Sequence, residues 1–288
     1  MDATTIITQI FLPISLAIIM FGMGLTLVAN DFGRLFIYPK EVLVGLFNQL
    51  IFLPLIGFLI ILLFDLNSSM AIGIMILSLC PGGPTSNLIT QVARGNIGLS
   101  VTLTALASLI TVFTIPIILS ESISYFTGEA DVIIELPVVQ TMLQILIITV
   151  IPVSIGMVIR KKNEDFALRM ERPMRIASTV LFIIIFLLVM IANKDLMVQA
   201  MKEVGLPTLL LNLSTMALGY ITAKIFGIKG KSQVSITIES GIQNGTLAFV
   251  IATTILNNVQ MGLPTGAYSI WMFISGGILM WRLGASKS

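Results

Sequence analysis

The 288-residue sequence contains no histidine, one cysteine and few charged residues, which make up 10% of the chain. Without histidine it lacks the commonest metal ligand and proton shuttle, and it cannot form a Ser-His or Cys-His nucleophile pair. The lone Cys80 allows neither an internal disulfide nor a zinc cluster. A net charge of +2 gives no basis for a nucleic-acid partner. These absences argue against an enzyme, and we expect no cofactor.

Apolar residues, in contrast, make up 56% of the chain, and the mean hydropathy is +1.03. A soluble domain carries about 25% charged residues, so a water-soluble fold of this composition could not cover its surface. Charges and turn residues divide the chain into nine apolar stretches, most of them about as long as a bilayer-spanning helix. These are 6–28, 42–64, 70–93, 97–119, 136–159, 176–192, 206–227, 234–256 and 264–281. The sequence therefore predicts an all-α, polytopic membrane protein with nine transmembrane helices.

Lysine and arginine are distributed unevenly between the two sides of such a protein. With the N-terminus outside, 14 of the 16 basic residues fall in one set of loops, and only Lys194 and Lys202 fall in the other. Cytoplasmic loops carry an excess of these residues. We therefore expect a multi-pass protein of the cell (inner) membrane with an external N-terminus and a cytoplasmic C-terminus. Residues 1–5 include an acid and no basic residue, which favours a retained first span over a signal peptide.

The longest polar connection covers residues 160–175 and is predicted to be a cytoplasmic loop. It is either a solvated basic segment near anionic headgroups or a hinge between two halves of the protein. On this division, residues 1–159 hold a first repeat, spans one to four, together with span five. Residues 176–288 hold the remainder of the second repeat.

Two spans are interrupted near their middle by residues that disfavour a helix. The third contains two prolines around a Gly-Gly pair within 80–87, and the eighth contains Gly241 and Gly245 within 239–245. By span count the two run in opposite directions, and one further span follows each, which predicts an inverted repeat (4+5). Paired interrupted spans in corresponding positions mark the binding site of secondary transporters. Two unrelated packing kinks are the alternative.

Glu239 is the acid placed deepest within a span. It follows Lys231 by eight residues, about 12 Å along a helix. A charge at this depth should face a partner or a cavity, unless it extends to cytoplasmic water. A bound cation is the simplest partner, with further oxygens from Ser86, Asn87 and Gln243. Hard oxygen donors with one carboxylate suit Na⁺, although a proton-coupled carrier could also use one buried acid.

Other polar residues are placed to extend such a site. Gln49 lies at mid-depth in the second span, and a row of hydroxyls follows one face of the fourth at helical spacing. These hydroxyls are Ser100, Thr104, Ser108 and Thr111. They and Gln49 could equally bond between helices or to their own backbone. Since the second halves of the broken spans begin near Asn87 and Asn244, their positive ends favour a small organic anion.

At these residues the chain resembles the bile acid:sodium symporter (BASS) family. The resemblance covers nearly the whole chain, from residues 21–25 to the end of the ninth span. Its most specific stretches are Cys80-Pro81-Gly82-Gly83, Ser86-Asn87, Ala93-Arg94-Gly95-Asn96 and Glu239-Ser240-Gly241-Ile242-Gln243-Asn244. It implies a core domain of 42–119 and 206–281, in which the broken helices cross. It also implies a panel domain of 6–28 and 136–192, with the substrate between the two.

The resemblance also implies two bound Na⁺ ions and a substrate site. The first ion would be bound by Ser86, Asn87, Ser100, Thr104 and Glu239. The second would be bound by Gln49, Glu239 and Gln243, with the backbone carbonyls of Ser240 and Ile242. The substrate would contact Gly83, Pro84, Thr85, Asn244, Gly245, Met272 and Phe273. Pro84 stands where similar bacterial sequences have threonine, and some relatives are polar at the last two positions, so the anion is left generic.

The sequence therefore predicts a sodium-coupled symporter that imports a bile-acid-like or carboxylate metabolite by alternating access. Its partners would be this small organic anion, Na⁺ and the lipid bilayer, and the oligomeric state is left open. A proton-coupled organic-anion carrier of the same fold is the nearest alternative. A channel and an intramembrane enzyme are further alternatives.

Overall fold

The computed structural model describes residues 7–128, 136–192 and 194–284, and within those ranges nearly all of the chain is helical. The prediction made for residues 1–5 lies outside the described residues. The first part of the chain forms α1 (Leu12–Thr26), the short α2 (Ala29–Ile37), α3 (Pro39–Phe64), α4 (Ser68–Leu79), α5 (Pro84–Val92) and α6 (Ile97–Thr127). The second part forms α7 (Val138–Lys162), α8 (Glu164–Ala192), α9 (Lys194–Ile225), α10 (Lys231–Gly241), α11 (Gly245–Ile255) and α12 (Val259–Gly284).

A widened, π-helical turn that ends two residues before a proline precedes α1 and occurs within α3 and α7. A proline inside a helix lacks the amide donor for the i−4 carbonyl and crowds that carbonyl, and a π-turn relieves the crowding locally. The pairs are Ile7–Phe11 before Pro13, Asn48–Phe52 before Pro54, and Leu146–Val150 before Pro152. The second of these turns carries Gln49, so Pro54 helps to set where that side chain lies.

The helices pack in two groups. Helix α1 packs against α7 and α8, and we name these three helices the panel. The approach of α1 to α7 is close because glycines meet there: a Cβ on Gly156 would lie 2.5 Å from the carbonyl oxygen of Phe21. The remaining long helices surround α4, α5, α10 and α11, and we name this group the core. That the two groups move as separate domains stays a prediction.

One expectation changes in detail. The segment 160–175, predicted as a loop, is helical: α7 continues to Lys162 and α8 begins at Glu164. Charged residues favour helices outside lipid, and Asn163 begins α8 by accepting a hydrogen bond from the Phe166 amide at 3.0 Å.

Among the described residues, six helices are long and apolar enough to cross a membrane. This supports a multi-pass membrane protein, while the count of nine spans stays a prediction.

Candidate functional site

The two interrupted spans break where the sequence predicts and meet at their breaks. The chain is non-helical between α4 and α5 and again between α10 and α11. Gly82 and Gln243 pair as an antiparallel bridge, and the Asn244 amide donates to the Pro81 carbonyl at 2.8 Å. Backbone groups freed from a helix inside a membrane must find partners within the protein. Here each break supplies partners to the other.

Asparagine and proline restart the helices after the breaks. Pro84 occupies the first turn of α5, where its missing amide costs no hydrogen bond. Asn244 precedes α11, and its side chain accepts a hydrogen bond from the Leu247 amide at 3.0 Å. The amino-terminal ends of α5 and α11 therefore both begin at the crossing.

Glu239 lies at the centre of a cluster of hydroxyl groups. Its side chain is 1% exposed. One carboxylate oxygen accepts hydrogen bonds from Ser86, at 2.6 Å, and from Ser100. The other accepts from Thr104 at 3.0 Å. In the described part of the chain, no Lys or Arg appears among its hydrogen-bond partners, so the carboxylate is held by neutral donors.

Asn87 completes this cluster from the first turn of α5. Its side-chain oxygen lies 2.8 Å from the Ser100 hydroxyl and 3.4 Å from the Thr104 hydroxyl, each of which has one hydrogen to donate either to this oxygen or to Glu239. All five residues that the resemblance assigns to a first ion are thus brought together by α5, α6 and α10. The other two hydroxyls of the predicted row, Ser108 and Thr111, donate to backbone carbonyls of their own helix.

Two buried glutamines also lie next to Gly82. Gln49 and Gln243 are 2% and 1% exposed. Neither side-chain oxygen has a hydrogen-bond partner among the described residues, and the Gln49 amide nitrogen has none either. The Gln243 nitrogen donates to the Ser240 carbonyl at 3.1 Å. Buried polar atoms are normally satisfied, so unpartnered glutamine oxygens close to the break are candidate ligands for a bound ion.

Gly82 makes this convergence possible because it has no side chain. A Cβ at this position would collide with the Glu239 carboxylate. It would also lie 3.2 Å from the Gln49 nitrogen and 3.3 Å from the Ser86 hydroxyl. Side chains from α3, α5 and α10 therefore meet directly over the backbone of the first break.

The residues predicted to bind substrate are less closely grouped. Pro84 lines a cavity of about 170 Å³ between the panel helix α1 and the core helices α5 and α6, together with Asn87. Gly83 is buried and lies close to Asn244: a Cβ on Gly83 would be 3.4 Å from Asn244 Cα. Met272 is buried, and Phe273 is 43% exposed on α12. The others are Thr85, which is half-buried, and Gly245, which is buried against Ser269.

A neighbouring cavity of about 140 Å³ is lined mainly by apolar side chains of both groups. Met20 and Met23 come from α1, and Met157 from α7. Ser108 and Leu109 of α6 face it from the core. Methionine adapts to irregular shapes, and the cavity lies where the resemblance places the substrate, between panel and core.

Sequence reasoning missed one set of polar contacts at the second break. Asn212 of α9 and Tyr268 of α12 are fully buried, and both donate to the Gly241 carbonyl, each at 2.8 Å. A polar residue inside each apolar stretch was the available signal. This signal was not sufficient, because the sequence alone does not show that the partner of each side chain is a backbone carbonyl.

Two crossing, discontinuous helices with a buried carboxylate and unpartnered oxygens at the crossing are typical of secondary transporters. Comparison with known proteins gives the family. The model of the Sodium Bile acid symporter family matches residues 13–200, and the chain belongs to that family. It is therefore a membrane transporter of a sodium-coupled family rather than an enzyme.

Similar proteins come from plants, bacteria and animals. A probable chloroplastic sodium/metabolite cotransporter of Arabidopsis thaliana, BASS1, is 31% identical over 95% of this chain and 67% of its own length. An uncharacterized sodium-dependent transporter of Bacillus subtilis (strain 168), YocS, is 30% identical over 93% of this chain and 81% of its own. The human ileal sodium/bile acid cotransporter is 27% identical over 86% of this chain and 70% of its own.

Proposed function

We propose that this protein is a symporter that imports a small organic anion together with Na⁺ by alternating access. The observation that carries the proposal is the convergence of Glu239, two unpartnered glutamine oxygens and the paired breaks at one buried point. The names of the relatives support Na⁺ as the coupling ion and an organic metabolite as the substrate.

Two ions would share the carboxylate of Glu239. The first would be bound where Ser86, Asn87, Ser100 and Thr104 surround this group. The second would be bound by Gln49 and Gln243, with the carbonyls of Ser240 and Ile242. Both sets consist of oxygen donors with a single carboxylate, which suits a monovalent hard cation.

Ion binding would prepare the site for the anion. The first Na⁺ would neutralise the buried carboxylate, the second would leave a net positive charge there, and both would draw the oxygens of the two breaks into one arrangement. Once the negative charge of Glu239 is neutralised, it no longer repels an anion. The positive ends of α5 and α11 at the crossing can then attract an anionic group. An apolar body of the substrate would lie against the methionines of the cavity between panel and core.

The route to the site would alternate between the two membrane faces. At one end, Gln9 of the turn before α1 donates to the Thr253 carbonyl at 3.2 Å and to the Asn257 side chain at 3.1 Å, which joins panel to core. At the other end the 170 Å³ cavity extends to Gln91 and Ile97, next to a turn that the Lys/Arg distribution predicts to be cytoplasmic. We therefore propose that this conformation is closed outside and accessible from the cytoplasm.

Uptake into proteoliposomes tests the proposal. Labelled carboxylates and bile acids should accumulate when Na⁺ is present outside and absent inside, and not when choline replaces it. Uptake that needs a proton gradient and ignores Na⁺ would instead support the proton-coupled carrier, since the hydroxyl cage around Glu239 could hold a protonated carboxyl equally well. Conductance without a substrate would contradict both.

A further inference from the structure

The second broken helix, α10, ends with carbonyls that the helix itself cannot satisfy. The last four carbonyls of a helix lack intrahelical donors. The Ile238 carbonyl accepts the Ile242 amide at 2.9 Å, and the Ser240 carbonyl accepts the side chain of Gln243. The Gly241 carbonyl is different, because its partners come from outside the break.

Asn212 and Tyr268 approach Gly241 from two separate helices. Both side chains are 0% exposed, and each donates to the Gly241 carbonyl at 2.8 Å. They also contact each other, with the Asn212 nitrogen 3.5 Å from the Tyr268 hydroxyl. The result is a closed triangle of polar groups linking α9, α10 and α12 within the core.

These two bonds hold the carbonyl of a peptide plane whose amide, that of Ile242, is held by the Ile238 carbonyl. Gly241 has no Cβ, so its backbone torsions are the least restricted of any residue. Because the peptide is planar, holding its carbonyl also sets the orientation of the Ile242 amide. Ile242 then leaves the helix in an extended conformation (φ −113°, ψ 102°). The restraint on Gly241 therefore fixes where Ile242 begins, and the torsions of Ile242 then set the direction of its carbonyl.

We propose that Asn212 and Tyr268 are positioning residues for the second Na⁺ site. By holding the Gly241 carbonyl toward α9 and α12, they leave the carbonyls of Ser240 and Ile242 to face the ion. Neither side chain is assigned as an ion ligand. This inference rests on the proposed function, because it requires that Na⁺ binds at Gln49, Gln243 and these two carbonyls.

Removal of one hydrogen bond at a time tests the role. Tyr268→Phe removes the hydroxyl and keeps the ring, and Asn212→Leu removes the amide at similar volume. Thr208→Val is the matched control, since Thr208 is equally buried one turn before Asn212 and donates to the Val204 carbonyl of its own helix. The measurement is the thermal unfolding midpoint of the purified full chain as Na⁺ replaces choline at constant ionic strength.

We expect Tyr268→Phe and Asn212→Leu each to raise the Na⁺ concentration for half-maximal stabilisation by about 3- to 10-fold. That change corresponds to about 0.6 to 1.4 kcal/mol, the range of a single net hydrogen bond. Thr208→Val should leave the concentration unchanged. A purely structural role would lower the midpoint equally with and without Na⁺, and would not move the half-effect concentration.

The possible failures can be told apart. If the unsubstituted protein responds to Na⁺ but Tyr268→Phe keeps the same half-effect concentration, the positioning role is wrong and the proposed function stands. If the unsubstituted protein shows no Na⁺ response, the proposed function fails and this inference fails with it. Should Asn212→Leu not fold, the more conservative Tyr268→Phe decides the question alone.

Discussion

Replacement of Glu239 by glutamine removes one buried negative charge while keeping the shape of the side chain. The structure surrounds this carboxylate with three hydroxyl donors, from Ser86, Ser100 and Thr104. Hydroxyl groups can rotate to accept as well as donate, so they can bond a side-chain amide in the same place. The substitution therefore tests the charge, with little change in packing.

The expected effects on stability and on Na⁺ binding differ in size. Burial of an unpaired ion costs several kcal/mol, and hydrogen bonds to a charged group recover about 1.5–3 kcal/mol each, against about 0.5–1.5 kcal/mol for neutral ones. For three donors these terms nearly cancel, so Glu239→Gln should keep its stability without Na⁺ within about 1 kcal/mol. The attraction between Na⁺ and the carboxylate has no such compensation. A unit charge 4 Å away contributes about 4 kcal/mol at an effective dielectric of 20, so Na⁺ affinity should fall by at least about 100-fold.

The assay combines thermal unfolding of the purified protein with uptake into proteoliposomes, each over a range of Na⁺ concentrations. Glu121→Gln is the matched control, because it removes one acid from an exposed position on α6. It should keep both Na⁺ responses. The reasoning is refuted if Glu239→Gln retains Na⁺-driven uptake at an unchanged half-saturating concentration. It is also refuted if Glu239→Gln loses several kcal/mol of stability in the absence of Na⁺.

Three further substitutions test the candidate ion site, the hydrogen bonds of Gln9 and the panel one at a time. Gly82→Ala places a methyl group against the Glu239 carboxylate. It should raise the half-effect Na⁺ concentration at least about tenfold and cost about 1–3 kcal/mol of stability from overpacking. An unchanged Na⁺ titration would contradict this. Gln9→Ala removes the hydrogen bonds that join α1 to the end of α11, so the outward-accessible fraction should rise and the half-saturating external Na⁺ in uptake should fall about two- to tenfold. Gly156→Val drives a side chain into the Phe21 carbonyl, and should lower the unfolding midpoint while leaving the Na⁺ concentration dependence of the stabilisation as it is, since the ion residues lie in the core.

The breaks could be predicted from the sequence because their causes are local. Proline and glycine disfavour the interior of a helix, and Pro81, Gly82 and Gly241 mark the interruptions. The depth of Glu239 could also be predicted from the sequence, because the number of residues from a charged helix end gives the distance along the helix axis. The paired positions then predicted a crossing, and the bridge between Gly82 and Gln243 confirms that the breaks meet.

The loop predicted at 160–175 shows the limit of reading polarity as structure. A run of charges indicates the end of an apolar span, but charged residues are good helix formers once outside lipid. Helices α7 and α8 therefore continue through this segment and turn at Asn163, where a side-chain cap takes the place of a longer loop. Composition predicts where an apolar span ends, whereas the helix boundary depends on capping.

The contacts of backbone carbonyls form the part that sequence reasoning could not reach. Three polar residues lie within apolar stretches, and their sequence positions do not distinguish their roles: Asn212, Tyr268 and Gln49. In the structure two of them hold the carbonyl of Gly241, while Gln49 keeps its oxygen without a partner beside Glu239. The difference arises because α9 and α12 pack beside the end of α10, whereas the π-turn before Pro54 carries Gln49 to the break itself. Only the packed helices therefore show which polar side chain bonds the backbone and which is left open for a ligand. This distinction separates positioning residues from candidate ligands here.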